Sequence, residues 1–146
     1  MSLIKRVLVT GDVGYIGSVL TSMLHDKSYE VRGYDTGYFD DCLLHPMTID
    51  YPRINRDIRD THIGDFEGVD AIIHLAGLSN DPLGELAPGL TEEINFTGTM
   101  KLAEIARAAG VKRFIYASSQ SMYGVSNTSS ELDEDDSEKN PVTAYA

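Results

Sequence analysis

Three glycines, at positions 11, 14 and 17, separate an apolar run from an amphipathic segment near the amino terminus. The run at 7–9 is typical of a buried parallel strand, and apolar residues recur at helical spacing over residues 16–24. In such a connection Gly11 permits a tight turn, Gly14 lets a pyrophosphate approach the backbone, and Gly17 lets the helix pack closely on the strand. The spacing therefore predicts a phosphate-binding turn.

A carboxylate stands at the position that such a turn requires further along the chain. Asp35 ends the next predicted strand, 24 positions after Gly11, where an acidic side chain accepts hydrogen bonds from adenosine ribose hydroxyls. It would repel a 2′-phosphate, so we expect a preference for NAD over NADP. Arg32, on the same strand, is the residue that would favour the phosphate. The competing interpretation is an ordinary strand–helix connection with a surface Asp.

Composition restricts the classes of protein that the chain can belong to. The 146 residues are 42% hydrophobic and carry a formal net charge of -11, which argues against binding nucleic acid or an anionic membrane. Part of that charge lies in an acidic run over residues 131–138, which we interpret as a solvated loop. The single cysteine, Cys42, excludes an internal disulfide framework. With no secretory signal or membrane-spanning stretch, we expect a cytoplasmic location.

Strand and helix patterns alternate along the chain. This alternation predicts an α/β fold, a Rossmann-type parallel sheet with helices on both faces and strand order 3-2-1-4-5. Thr91 is the predicted N-cap of the second long helix, and residues 78–89, rich in Pro and Gly, are predicted to form a loop. The predicted strands lie near residues 4–10, 29–35, 52–57, 70–75 and 112–117, and the helices at 14–26 and 91–109.

Polar or glycine-rich segments directly follow all five predicted strands. Ligands of open parallel sheets bind beyond the carboxyl ends of the strands, so these segments are expected to meet at one edge. Their coincidence predicts a dinucleotide site. The segments are 11–17, Asp35, 57–58, 75–79 and 117–121.

Several motifs resemble those of one known family. They are Thr-Gly-x-x-Gly-Tyr-Ile-Gly at 10–17, His-Leu-Ala-Gly at 74–77, Asn-x-x-Gly-Thr at 95–99 and Ala-Ser-Ser-x-Ser-x-Tyr-Gly at 117–124. Together with Asp35 and Asp57-Ile58, they resemble the extended short-chain dehydrogenases. The closest similarity is to the NAD-dependent nucleotide-sugar epimerases and dehydratases of the UDP-glucose 4-epimerase type, and it runs over the whole chain.

The resemblance implies NAD as the cofactor and assigns residues to it. Tyr15 and Ile16 would lie on the pyrophosphate, Asp57 and Ile58 would flank the adenine, and Asn95 would support the site from the long helix. The full implied set is Gly11, Gly14, Tyr15, Ile16, Gly17, Asp35, Asp57, Ile58, Leu75, Ala76, Gly77, Ser79, Asn95 and Ser118, and no metal ligand is expected.

The resemblance also implies two catalytic residues. The family's catalytic Ser or Thr lies four residues before the Tyr of the Tyr-Gly pair, which selects Ser119, and its catalytic Tyr opens a Tyr-x-x-x-Lys motif, which selects Tyr145. A free phenol has a pKa of about 10, and the family's Lys lowers it. That Lys would fall three positions beyond Ala146. We therefore expect residues 1–146 to be an incomplete NAD-binding Rossmann domain, lacking the last strands and the substrate domain, and to be inactive by itself.

Two classes of function remain open from the sequence. The first is an epimerase, in which Tyr145, assisted by Ser119, takes a proton from a sugar hydroxyl while hydride passes to NAD. Gln120 and Ser121 stand where dehydratases carry an acidic pair, which favours an epimerase or a reductase over a dehydratase. The second class is a non-catalytic NAD(P)-binding regulatory module. The expected partner is a nucleotide sugar of undetermined identity, and a homodimer is the family's usual assembly.

Overall fold

The apolar runs of the sequence form one parallel sheet. A computed structural model describes residues 3–42, 49–125, 131–135 and 137–146. All strand pairs are parallel, in the order β3-β2-β1-β4-β5, as the sequence predicts. The strands are β1 (Arg6–Thr10), β2 (Glu30–Asp35), β3 (Arg53–Asn55), β4 (Ala71–His74) and β5 (Arg113–Tyr116).

The central strand of the sheet is β1, and its last residue has a partner on each side. Thr10 pairs with Tyr34 of β2 on one side and with His74 of β4 on the other. The chain leaves β1 toward β2 and later returns to β1's other edge with β4, so the strand order reverses there. Such a reversal opens a crevice at the carboxyl ends of the strands, where ligands of this class of fold bind.

One face of the sheet is covered by helix α1 (Tyr15–Asp26). Leu20 and Leu24 pack against a core that contains Val9 and Val31. The other apolar positions of the segment are not buried as its pattern suggests, because the main contacts of α1 are with β1 and β2 and its apolar stripe is wider than these contacts. These positions are Ile16, Val19 and Met23, which are 60%, 60% and 53% exposed.

The opposite face is covered by one long helical run. It consists of α3 (Pro88–Glu92), a π-helical stretch (Glu93–Gly98) and α4 (Thr99–Ala108). Leu102 and Ala106 of α4 belong to the core of this face, where Leu8 and Ile72 of the sheet are buried. The helix ends at Ala108, and Gly110 shortly after it has a φ of +81°, the left-handed conformation that glycine commonly adopts after a helix end.

Two local predictions are wrong in this region. The helical run begins at Pro88, and Thr91 is a fully buried residue inside it, with Oγ1 donating to the Gly84 carbonyl at 2.8 Å. The predicted loop over 78–89 contains helix α2 (Asp81–Leu86). Asn80 caps α2 by accepting a hydrogen bond from the Leu83 N–H at 2.9 Å, so the sequence signal was an Asn cap followed by Pro in the first turn.

The acidic run is a solvated loop, as predicted. Its described residues have no helix or strand, and all but Ser137 are exposed, while Asp136 lies outside the described residues. Cys42 is exposed and carries a free thiol. Over the described parts of the chain, no helix has both the length and the apolar character needed to cross a membrane.

A buried polar network joins β1, β4 and α4. The Thr10 hydroxyl oxygen accepts from the N–H groups of Leu75 and Ala76, both at 3.2 Å, so its proton is donated to His74 Nδ1 at 2.6 Å. The other ring nitrogen, Nε2, then carries the proton and donates to Thr99 Oγ1 at 2.7 Å. His74 is fully buried, and desolvation lowers the pKa of its ring to about 4.

We predict that His74 makes stability depend on pH between about 6.5 and 4. In this range the unfolded chain binds a proton at His74 and the folded protein does not, so the free energy of unfolding falls as the pH falls. The loss should reach about 3 kcal/mol. Urea unfolding followed by circular dichroism at pH 7, 6, 5 and 4 measures it, with His74→Gln expected to flatten the profile. The exposed His25, changed to Gln, is the control, and an unchanged slope in His74→Gln would contradict the assignment.

Candidate functional site

The glycine-rich turn leads directly into the amino terminus of α1. Gly11 has φ +73°, and its N–H donates to the Tyr34 carbonyl at 2.9 Å. Gly14 is the N-cap residue of α1, and within the described residues no side chain caps this helix. Tyr15 and Ile16 are 96% and 60% exposed at the same end. A helix start that no side chain caps favours an anion such as a pyrophosphate.

Close backbone contacts explain why glycines occupy this turn. A Cβ at Gly17 would lie 2.0 Å from the Gly11 carbonyl oxygen, and a Cβ at Gly11 would lie 2.9 Å from the Ala76 nitrogen. The turn is therefore packed between the start of α1 and the segment that follows β4. The structure thus brings together two of the segments that the sequence analysis placed at one site.

Asn95 holds the segment after β4 with both ends of its amide. Its Oδ1 accepts from the Leu78 N–H at 2.8 Å, and its Nδ2 donates to the Leu78 carbonyl at 3.0 Å. A Cβ at Gly77 would lie 3.0 Å from Asn95 Oδ1. Leu75 and Ala76 are half-buried, while Gly77 and Ser79 are exposed. Asn95 thus positions the loop from the π-helical stretch, the location that the resemblance implied.

Asp35 ends β2 with one carboxylate oxygen available. Its Oδ1 accepts from the Gly37 N–H at 2.8 Å, and its Oδ2 has no hydrogen bond to any described residue. Arg32, the residue that the sequence offered as a phosphate partner, donates instead to the carbonyls of Asp65 and Glu67 at 3.3 and 3.4 Å. In this structure, Nη1 of Arg32 is therefore directed at backbone carbonyls of the segment after β3.

Asp57 and Ile58 are both engaged within the protein. The Asp57 carboxylate binds the Arg59 guanidinium through both oxygens, at 3.0 and 2.8 Å. These hydrogen bonds hold the pKa of Asp57 below its ordinary value. Ile58 is 4% exposed and belongs to the core beneath Gly98. The sequence did not reveal that Ile58 also contacts the long helical run at Gly98, or that Arg59, which Asp57 binds, donates to Glu93 of that run at 3.2 Å.

Ser118 and Ser119 follow β5. Ser118 is exposed, and Ser119 is half-buried and caps the 3-10 turn Gln120–Tyr123, with Oγ accepting from the Ser121 N–H at 3.1 Å. A capping hydroxyl remains able to donate its own proton. The local role of Ser119 is therefore compatible with a second role toward a ligand.

Tyr145 lies against helix α2. A Cβ at Gly84 would be 3.3 Å from the Tyr145 Cβ, and the preceding residues Thr143 and Ala144 bind Asp81 and Glu85 at 2.7 and 2.8 Å. Among the described contacts, no hydrogen bond joins Tyr145 to Ser119.

The chain between Ser119 and Tyr145 is nevertheless held at two places, the turn that Ser119 caps and helix α2. The Asn140 N–H donates to the Met122 carbonyl at 3.0 Å, in the turn that Ser119 caps. From that point the chain runs to α2, where Thr143 and Ala144 are held.

One residue of the glycine-rich turn escaped the sequence analysis. Asp12 is fully buried, accepts a hydrogen bond from the Tyr51 hydroxyl at 2.9 Å, and lies against β2 where Gly33 leaves space for it. A Cβ at Gly33 would lie 2.3 Å from an Asp12 carboxylate oxygen. The sequence signal for this contact was an acidic residue inside the turn together with a glycine inside the next strand.

The fold and this edge define a Rossmann-type dinucleotide-binding protein. The chain belongs to the NAD dependent epimerase/dehydratase family, whose model matches residues 7–146. NAD is therefore the cofactor of the family to which this chain belongs.

Individual relatives include both epimerases and dehydratases. The chain is 35% identical over 128 residues to a UDP-glucose 4-epimerase of Klebsiella pneumoniae, covering 82% of this chain and 92% of that sequence. It is 34% identical over 157 residues to dTDP-D-glucose 4,6-dehydratase of Mus musculus, covering 99% of this chain and 43% of that one. The crystal structure of a Thermus thermophilus UDP-glucose 4-epimerase with NAD superposes with a TM-score of 0.80 at 27% identity, covering 96% of this chain and 46% of that protein.

We predict that Gly17 cannot carry a side chain without loss of stability. The new methyl group of Gly17→Ala would meet the Gly11 carbonyl at 2.0 Å, which forces the turn and α1 apart. Overpacking of this kind costs on the order of 1–3 kcal/mol. The matched control is Gly89→Ala in helix α3, where an added Cβ has no neighbour within 4 Å among the described residues. Equal unfolding free energies for the two variants in urea titrations would contradict the packing argument.

Proposed function

We propose that the chain is the cofactor-binding part of an NAD-dependent nucleotide-sugar epimerase. The observation that carries the proposal is the arrangement of three features at one edge of the sheet. These are the open start of α1 behind Gly14, the backbone packing of Gly11 on Ala76, and the free Oδ2 of Asp35. In a Rossmann fold they suit a pyrophosphate and an adenosine ribose.

The proposed binding of NAD assigns a task to each part of this edge. The first-turn N–H groups of α1 would hold the pyrophosphate, and Asp35 Oδ2 would accept from the adenosine ribose hydroxyls. Asn95 would keep the Gly77–Leu78 backbone in place along the cofactor, since its amide holds both polar groups of Leu78. Bound NAD would accept a hydride from a sugar carbon and return it.

Ser119 and Tyr145 are the proposed catalytic pair. Tyr145 would take the proton of a sugar hydroxyl, and Ser119 would hydrogen-bond the same oxygen. Asn140 donates to the Met122 carbonyl in the turn that Ser119 caps, and Thr143 binds Asp81 of α2. These two contacts support a shared location for Ser119 and Tyr145. Residues 1–146 lack the lysine that would lower the phenol pKa, and we therefore propose that they bind NAD without turning over substrate.

Epimerisation is favoured over dehydration by the residues after Ser119. A dehydratase needs an acid and a base to remove water, and Gln120 and Ser121 provide neither. Relatives of both kinds match this chain. The chain spans less than half the length of the mouse dehydratase and of the Thermus thermophilus epimerase, so the sugar and the activity of a whole enzyme are part of this proposal.

We predict that the 146-residue protein binds NAD through Asp35. Asp35→Asn removes the charge that strengthens the hydrogen bonds to the ribose, so its Kd for NAD should rise by about tenfold or more in isothermal titration calorimetry. Asp26→Asn, an equal change of charge at the exposed end of α1, is the control. No detectable binding of NAD by the unaltered protein would refute the proposed function.

We further predict that catalysis requires both Tyr145 and the sequence that follows it in relatives. Residues 1–146 alone should not interconvert UDP-glucose and UDP-galactose, whereas a chimaera continuing into the carboxyl-terminal part of the Thermus thermophilus epimerase should. In this chimaera Tyr145→Phe should abolish turnover and leave the Kd for NAD within about twofold, and Ser119→Ala should lower kcat by about 10²-fold or more.

The control in the chimaera is Tyr123→Phe, which removes a hydroxyl near Ser119 without touching the proposed base. Substantial turnover by the Tyr145→Phe chimaera or by residues 1–146 alone would show that the catalytic assignment is wrong. A folded chimaera that binds NAD but converts neither sugar nucleotide would count equally against it.

A further inference from the structure

A cavity of about 440 Å³ lies beside the turn that follows Asp35. Asp12, Asp40, Tyr51 and Arg53 are among the residues that line it. Two observations place it next to Asp35. Arg53 of β3 pairs in register with Gly33, two residues before Asp35. The Gly37 N–H binds Asp35, and a Cβ at Gly37 would lie 2.8 Å from an Asp40 carboxylate oxygen.

The one arginine among the described residues that line this cavity is already occupied. Both terminal nitrogens of Arg53 donate to Asp40, Nη1 to Oδ1 at 2.6 Å and Nη2 to Oδ2 at 3.1 Å. This two-point geometry is the one by which a guanidinium binds a phosphate. The Asp40 carboxylate therefore fills the place on Arg53 that a phosphate would take.

The buried Asp12 is a second carboxylate that lines the cavity. Its side chain is fully buried, and only one of its oxygens is hydrogen-bonded within the described residues, through the Tyr51 hydroxyl. Burial raises the pKa of Asp12, and the Asp35 carboxylate adds to the rise. An anion entering the cavity would lie close to the carboxylates of Asp12 and Asp40, which both line it.

We propose that this cavity excludes a phosphate group from the 2′-position of the adenosine ribose, with Asp40 holding Arg53 and Asp12 supplying a second carboxylate. The inference rests on the proposed binding of NAD. It assigns cofactor specificity to residues beyond Asp35, and it makes Asp40 a positioning residue that acts through Arg53. A ribose hydroxyl is small and neutral, so the same wall leaves NAD unhindered.

The decisive experiment releases Arg53. Asp40→Asn keeps the shape of residue 40 but removes the charge that holds the guanidinium, so the Kd for NADP should fall by about tenfold or more while that for NAD changes by less than about threefold. Isothermal titration calorimetry of the 146-residue protein with each dinucleotide measures the ratio. The double variant Asp40→Asn with Arg53→Gln should return the ratio to that of the unaltered protein.

Two further variants separate the local contact from net charge. Asp41→Asn makes the same change of charge at the neighbouring exposed residue, and it should leave the ratio unchanged. Asp12→Asn retains an acceptor for Tyr51 and should lower the Kd for NADP to a smaller extent than Asp40→Asn. An unchanged ratio of the two Kd values would show that Asp12 takes no part in excluding the phosphate. Thermal unfolding by circular dichroism verifies that each variant is folded.

The outcomes distinguish this inference from the function on which it rests. If the unaltered protein binds neither dinucleotide, the proposed function is wrong, and the proposed exclusion of the 2′-phosphate is wrong with it. If it binds NAD but Asp40→Asn and Asp41→Asn shift the ratio of the two Kd values alike, only the proposed exclusion of the 2′-phosphate is wrong. The same holds if the double variant retains the tighter binding of NADP. A gain for NADP that needs Arg53 and vanishes at high salt supports it, since exposed charge pairs are screened.

Discussion

The close approach of backbone to backbone at the glycine-rich turn is the constraint on which the rest of the edge depends. The Gly11 carbonyl lies where a side chain at Gly17 would be, and Gly11 itself lies against the backbone of Ala76. Because the turn is this tight, α1 starts directly above β1 and the loop after β4 lies beside it. The first turn of α1, Asp35 at the end of β2 and the loop that Asn95 holds consequently all follow the carboxyl ends of neighbouring strands.

A network of buried polar groups joins β1, β4 and α4 next to the glycine-rich turn. Thr10 uses its hydroxyl to bind two N–H groups after β4 and the ring of His74, which in turn reaches Thr99 on α4. Each partner is satisfied, which is what permits polar side chains in a core. Asp12 is the exception, because one of its buried oxygens has no partner among the described residues. An unsatisfied buried carboxylate destabilises a fold, and this one has a proposed role in cofactor selection.

The strand order and the helices on both faces could be predicted because buried parallel strands and amphipathic helices have distinct periodicities. The errors were local and have local causes. Helix α2 was taken for a loop because Pro and Gly outweighed the Asn80 cap and the Pro82 in its first turn. Thr91 was taken for a cap because its residue type suits one, yet its hydroxyl is buried against Gly84 within a helix that starts earlier.

The parallel sheet, the glycine-rich turn and the family could be predicted from the chain alone, because these depend on residue types at short, regular spacings. Only the tertiary structure decided which charged groups are free. Arg32 is taken by backbone carbonyls, Arg53 by Asp40, and Asp57 by Arg59. The physical reason is that the partners of Arg32 and Arg53 lie 13 to 35 residues away in the chain and meet them only in the folded protein, whereas Asp57 and Arg59 pair within one local turn. The space that Gly33 leaves for Asp12 is likewise a contact between two elements, which no periodicity within either element can reveal.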